Sequence, residues 1–233
     1  MADQDATAWP KAVLFDLDGT LIDSLPDIHA AMNETLASLG EPPFTQEAVA
    51  RMVGGGVEVL IQRAFEALDK EIDPATAAKI AQRYLAIYAA CSTELTTLNA
   101  GASLTVRALH AKGLRLGVVT NKPEAETHAV LAHFGLDELM AVVVGGDAGP
   151  RKKPAPDLLL LACTRLGIEA GEALFVGDSE NDVDAALAAA MPVVAVRGGY
   201  SRVSVEAMGA GHVIDRLDQI GEAINVLSPS RRG

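Results

Sequence analysis

The sequence has 233 residues, 49% of them hydrophobic and 21% charged, long enough for a sizeable core and too apolar for a disordered chain. Its 31 acidic residues against 19 basic ones leave a net charge of −12. A field of that sign repels nucleic-acid backbones and anionic lipid, so neither is expected as a partner. Residues 1–6 are polar and acidic, with no basic segment leading into an apolar one, and nowhere does a run approach the ~20 apolar residues of a membrane helix. A cytoplasmic location is therefore expected. Next comes Ala12-Val13-Leu14-Phe15, a short apolar run ending in Asp16 and followed by Gly19; it reads as a buried parallel strand.

From Ser24 to about Ser92 the pattern is helical throughout. Helices are predicted over residues 26–39, 46–53, 57–68 and 74–90, the last with Asp73 as N-cap and Pro74 at its first position. Gly54-Gly55-Gly56 interrupts this block, either as a flexible turn or as a loop whose backbone must approach a ligand. Beyond the block, strands are expected at 114–119, 141–144, 173–176 and 193–196, alternating with helices at 102–111, 123–134, 156–166 and 180–190. Such alternation implies βα units. The fold class is thus α/β, a Rossmann-like doubly wound parallel sheet formed by residues 1–20 plus 93–233, with an inserted all-helical domain at 21–92. Cys91 and Cys163 stand alone without CxxC spacing and read as small buried hydrophobes, and the five histidines form no HExxH pair, so no zinc site is expected.

In an open α/β sheet ligands bind beyond the carboxyl ends of the strands. Those ends carry Asp16-Leu17-Asp18-Gly19-Thr20, then Thr120-Asn121-Lys122, then Lys153-Pro154, then Gly177-Asp178-Ser179-Glu180-Asn181-Asp182. Any one of these could be a capped turn. Together, on one predicted edge, they mark a site.

Taken in order, these clusters resemble the motifs of the haloacid dehalogenase superfamily: Asp16-x-Asp18-Gly19-Thr20 the first, Thr120 the second, Lys153 the third and Gly177-Asp178-x-x-x-Asp182 the fourth. The likeness runs over residues 11–199, and the helical block resembles that superfamily's small mobile cap. Phe15-Asp16-Leu17-Asp18-Gly19-Thr20-Leu21-Ile22-Asp23-Ser24, with Thr120-Asn121-Lys122-Pro123 and the glycine turn, is most similar to the branch that hydrolyses 2-phosphoglycolate. The resemblance implies hydrolysis of a small phosphorylated metabolite through a phosphoaspartate. Such hydrolysis is very slow uncatalysed and needs a nucleophile, a proton donor and charge neutralisation. Asp16 is the implied nucleophile and Asp18 the acid and base. Lys153 supplies a fixed ammonium; Arg151 and Lys152 are its rivals by composition, but only Lys153 precedes Pro154 as in the motif. Thr120 offers a hydroxyl to a phosphoryl oxygen, and Asn121 adds a polar contact. Mg2+ is the expected cofactor, held by Asp16, the backbone carbonyl of Asp18, and Asp178. Asp182 is expected to support the site by orienting Asp178 or Lys153, with direct metal contact left open.

Gly54, Gly55 and Gly56 are expected to meet the organic part of the substrate, whose carboxylate would accept backbone N–H bonds. Arg51 is a candidate cation there, or an exposed helix-end residue; Lys11 and Arg231-Arg232 are expected in solvent. By the same resemblance, relatives that dehalogenate or cleave phosphonates lack an acid at the place of Asp18, and phosphonate cleavage would also need a cap lysine, where only Lys70 and Lys79 stand. Phosphatases for sugar phosphates, nucleotides or pyrophosphate, a sugar phosphomutase, and a non-catalytic phosphate-ligand sensor remain as alternatives. Whether the protein is a monomer or a homodimer is left open.

Overall fold

In the computed structural model, which describes residues 9–228, the first apolar run forms β1 (Ala12–Phe15). Residues 1–6 and Arg231-Arg232 lie outside the described residues. Val13 and Phe15 enter one hydrophobic cluster and Leu14 the other, the period-two alternation of a strand covered on both faces. The chain then forms a short antiparallel ribbon of β2 (Ile22–Asp23) with β3 (Thr97–Leu98), the outgoing and returning legs of a helical excursion. That excursion comprises α1 (Leu25–Ser38), α2 (Gln46–Ala50), α3 (Val57–Glu66) and α4 (Pro74–Cys91). Its helices bury Met32, Leu36, Ile61, Phe65 and Tyr84 in a cluster of their own. Thr45 and Asp73 cap α2 and α4 by accepting from Ala48 N and Thr76 N, and Pro74 costs nothing where no intrahelical bond is needed. The buried Asp27 carboxylate of α1 accepts from Leu95 N, Thr96 N and the Thr96 hydroxyl, joining the start of the excursion to its end.

Strand and helix then alternate: α5 (Ala102–Ala111), β4 (Arg115–Val119), α6 (Glu124–His133), β5 (Val142–Val144), α7 (Asp157–Leu166), β6 (Ala173–Gly177), α8 (Glu180–Ala188), β7 (Val193–Val196), β8 (His212–Ile214) and α9 (Ile220–Leu227). Among the described residues they build a six-stranded sheet in the order β5-β4-β1-β6-β7-β8, each neighbouring pair parallel. The order reverses at β1. At such a switch point the flanking loops diverge and leave a crevice at the carboxyl ends.

Some helix ends match expectation and the others depart from it by one to three residues. The helix expected to reach Val53 stops at Ala50, because the chain turns towards Gly54 at φ +107°, and the one expected to reach Ala190 stops at Ala188, ahead of Ala190 at φ +54°. Strands β2, β3 and β8 were not expected; two or three residues are too few to display an alternation. Cys91 and Cys163 are both free thiols, the second buried. Among the described residues no helix is long and apolar enough to cross a membrane.

Candidate active site

The loop after β1 sets the site because it is pressed against the loop after β6, its neighbour in the sheet. A Cβ on Gly19, at φ +89°, would stand 2.5 Å from Asp178 Oδ2, so only glycine lets the two loops meet. Asp178 in turn accepts from the Thr20 hydroxyl at 2.7 Å and from Tyr200 N at 2.8 Å. Asn99, just after β3, donates to Gly19 O and Thr20 O and ties the same loop to the returning leg.

A buried charge cluster lies under this loop. Lys153 Nζ is 2.8 Å from Asp16 Oδ1 and 2.6 Å from Asp182 Oδ1, and it also donates to Val119 O at 3.0 Å. The other oxygen of Asp182 accepts from Asp178 N, Ser179 N and Ser179 Oγ, forming the capping box of α8. Asp16, Asp178 and Asp182 bring carboxylate oxygens within 4.8 Å of one another, all three residues buried. One ammonium faces three carboxylates. Burial, then Asp182, pushes the Asp16 carboxyl up to about 7 against the pull of Lys153. Burial, then Asp182 and Asp16, raises Asp178 well above the usual carboxylate range. Burial alone would lower the Lys153 ammonium, but Asp16 and Asp182 outweigh it and hold it above the ordinary lysine range. Asp16 Oδ1 is buried and has the Lys153 ammonium at 2.8 Å as its ion-pair partner, with no further donor directed at it. Surplus negative charge, hard oxygen donors and a spare buried lone pair together fit a divalent cation.

Asp18 stands on the other side of Asp16's loop. Its Oδ1 accepts from Ser24 Oγ at 2.6 Å and Lys122 Nζ at 3.0 Å, and its Oδ2 from Lys122 Nζ at 3.2 Å. Lys122 Nζ also donates to the Tyr88 hydroxyl of α4 at 2.9 Å. Thr120, at the end of β4, accepts from Lys122 N at 3.2 Å through Oγ1, which leaves its hydroxyl hydrogen for another acceptor. Asn121 spends its amide on protein: Nδ2 donates to Gly54 O at 2.8 Å and Lys153 O at 2.9 Å, while Oδ1 accepts from Lys153 N. Asn181 Nδ2 reaches the same Gly54 carbonyl at 3.3 Å.

Asp16, Asp18, Thr120, Asn121, Gly54 and Gly56 line one cavity of about 70 Å³, walled on the helical side by Val53, Val57, Leu60, Tyr84 and Tyr88. Lys153, Asp178 and Asp182 are buried around Asp16 rather than lining that space. Gly55 does not line it; its backbone faces Val59. Of the three consecutive cations only Lys153 turns inward, since Arg151 pairs with Asp157 and Lys152 with Glu58. Arg51 is not brought to the site, but pairs with Glu47 one helical turn back in solvent. Lys11 pairs with Glu172, and Lys70 with Glu41. Lys122, Ser24, Tyr88 and Asn181 are site residues without an expected role. The first two lie inside motif segments and carried that signal, whereas Tyr88 is one apolar position among many on α4.

A family model described as haloacid dehalogenase-like hydrolase matches residues 13–196. Over 225 residues the chain is 44% identical to the phosphoglycolate phosphatase of Rhodospirillum rubrum, covering 94% of this chain and 93% of that protein. A solved structure described as a predicted phosphoglycolate phosphatase from Haemophilus somnus superposes with a TM-score of 0.87 at 31% identity, covering 94% of this chain and 99% of that one. CbbY from Rhodobacter sphaeroides, solved in complex with phosphate, superposes with a TM-score of 0.79 at 28% identity, covering 91% and 96%.

Proposed function

This chain belongs to the haloacid dehalogenase-like hydrolase family and is a phosphoric monoester hydrolase; we propose that its substrate is 2-phosphoglycolate, cleaved to glycolate and inorganic phosphate. The observation that carries the reading is a pair of carboxylates two residues apart on one small cavity, Asp16 with Lys153 at 2.8 Å and Asp18 with Lys122 at 3.0 Å. A carboxylate oxygen of Asp16 attacks phosphorus while the bond from phosphorus to the ester oxygen breaks, and Asp18 gives that oxygen its proton through Oδ2, the less engaged of its two oxygens. Asp18, now ionised, takes a proton from water. The water oxygen attacks the phosphorus of the acyl phosphate, releasing inorganic phosphate and restoring Asp16.

Lys153 neutralises Asp16 and the phosphoryl group passing to it, and the free Thr120 hydroxyl hydrogen binds a phosphoryl oxygen. Asn121 organises the loop through Gly54 and Lys153. Mg2+ is the cation proposed for the buried acids, on Asp16, Asp178 and the backbone carbonyl of Asp18, and when bound it neutralises charge on the phosphoryl oxygens. Asp182 acts through Lys153 and the α8 cap. Residues 21–92 form the cap, which excludes water and selects the ester, and the described residues of 1–20 and 93–233 form the catalytic core. The small cavity, bounded by Gly54 and Gly56, suits a compact ester.

A panel assayed with Mg2+, comparing kcat/KM for 2-phosphoglycolate, sugar phosphates, nucleotides and pyrophosphate, tests the substrate. 2-Phosphoglycolate is expected to lead. Preference for a rival by about tenfold, a difference of about 1.4 kcal/mol in transition-state binding, overturns the assignment.

A further inference from the structure

We propose that Lys122 is a positioning residue for the Asp18 carboxylate, and that the Tyr88 hydroxyl, brought from α4, completes the arrangement by fixing the lysine. This rests on the reading of Asp18 as the group that protonates the leaving oxygen. Lys122 is buried, and its Nζ has three acceptors: Asp18 Oδ1 at 3.0 Å, Asp18 Oδ2 at 3.2 Å and Tyr88 Oη at 2.9 Å. An ammonium has three hydrogens, so its donor capacity is taken up. The same Nζ lies 4.5 Å from the centroid of the Tyr88 ring, so the tyrosine holds the cation by its face as well as its oxygen. A lysine side chain left to itself samples many rotamers; this one has its ammonium held between Asp18 and Tyr88.

The consequence falls on Asp18. Ser24 Oγ and Lys122 both engage Oδ1, at 2.6 and 3.0 Å, while Oδ2 receives only the longer contact at 3.2 Å. The carboxylate is therefore held in one orientation with one edge free. Without the lysine a single hydroxyl would restrain a side chain whose catalytic value depends on its aim. Tyr88 is 34 positions from Lys122 along the chain and lies in the helical excursion, whereas Asp18 and Lys122 follow β1 and β4. The arrangement is complete only when the excursion sits against the sheet. It thus links the position of α4 to the aim of the acid. A rival role, in which Lys122 anchors the carboxylate of the substrate, would require it to give up one of the acceptors it already has.

The test uses Lys122→Met and Tyr88→Phe in the full-length, Mg2+-supplemented protein, with 2-phosphoglycolate, 2-hydroxyethyl phosphate and p-nitrophenyl phosphate as substrates. The first two have poor leaving groups and differ in charge; the third leaves readily and needs little help from an acid. Positioning predicts that Lys122→Met lowers kcat/KM about thirtyfold for both alkyl esters and about threefold or less for p-nitrophenyl phosphate, the loss falling on kcat rather than KM. Tyr88→Phe, which removes one oxygen and keeps the ring, is expected to lower the alkyl esters about fivefold in the same pattern and serves should the lysine variant not fold. A loss confined to 2-phosphoglycolate, equal losses on all three esters, or no loss overturns the proposal. If wild-type protein cleaves 2-hydroxyethyl but not glycolate phosphate, the substrate assignment fails while the comparison of alkyl with aryl ester still decides the role of Lys122. Wild-type inactivity on all three removes the phosphatase reading and the proposal with it.

Discussion

The strand-end half of the cavity and the helical half facing it are made of opposite materials. On the sheet side Asp16, Asp18, Asp178, Asp182, Lys122 and Lys153 crowd into the loops after β1, β4, β5 and β6, most of them buried and bonded to one another. On the helical side the wall is Val53, Val57, Leu60, Tyr84 and Leu85, with polarity limited to the Tyr84 and Tyr88 hydroxyls and the backbone of the glycine turn, whose Gly54 carbonyl accepts from Asn121. Under the proposed function, charge handling and shape selection fall to different stretches of chain. The phosphoryl group is common to every monoester and needs fixed charge, whereas discrimination between organic parts needs only a wall of the right form.

Asp16→Asn tests that division most severely. It keeps the shape and removes the proposed nucleophile, so turnover of every ester is expected to fall by about four orders of magnitude or more, with a cooperative thermal transition retained. Appreciable turnover of any single ester by the variant would end the claim that one core group serves them all.

Next in size is the response to the cation. Burial raises Asp16 from 3.8 to about 7 and raises Asp178 as well, so the folded protein without metal favours their protonated forms. Stability from this source is present below the unfolded value and is lost as pH rises from about 4 through 7. A divalent cation favours the ionised acids, and its effect should grow over that same window. Added Mg2+ is expected to raise Tm by about 5 °C at pH 8 and by less than about 1 °C at pH 5. Equal shifts at the two pH values would remove the buried acids as the metal site.

The smallest effect belongs to the helical side. Val57→Ala is expected to enlarge the cavity and raise kcat/KM for a bulkier sugar phosphate relative to 2-phosphoglycolate by about tenfold, while the two-carbon ester itself changes by less than about threefold. A uniform fall on all substrates would show that the wall takes part in the chemistry and would break the comparison.

Much of the sheet side was legible along the chain because strand-end chemistry is local. Asp16-x-Asp18, Thr120 and Asp178-x-x-x-Asp182 each sit in a short segment whose apolar run announces the strand before it. The helical side was legible as helices but not as a wall. Tyr84 and Tyr88 are one turn apart on α4 with stacked rings, and nothing in their spacing separates a core pair from a pair bordering a cavity. Arg51, beside the glycine turn, had a sequence position as favourable as any, yet a partner four residues back in solvent was nearer.

By itself the sequence determined the α/β class, the helical excursion and the kinds of group at each strand end, because hydrophobic period and turn chemistry act over a few neighbouring residues. Only the tertiary structure decided that Asn121 is occupied by Gly54 and Lys153, and that Tyr88 and Lys122 close on Asp18. Those outcomes depend on the strand order, which sets β1 between β4 and β6, and on how α4 comes to rest against their ends. Contacts between segments tens of residues apart are selected by packing and by the cost of leaving a buried charge unpaired, neither of which is written in any local window.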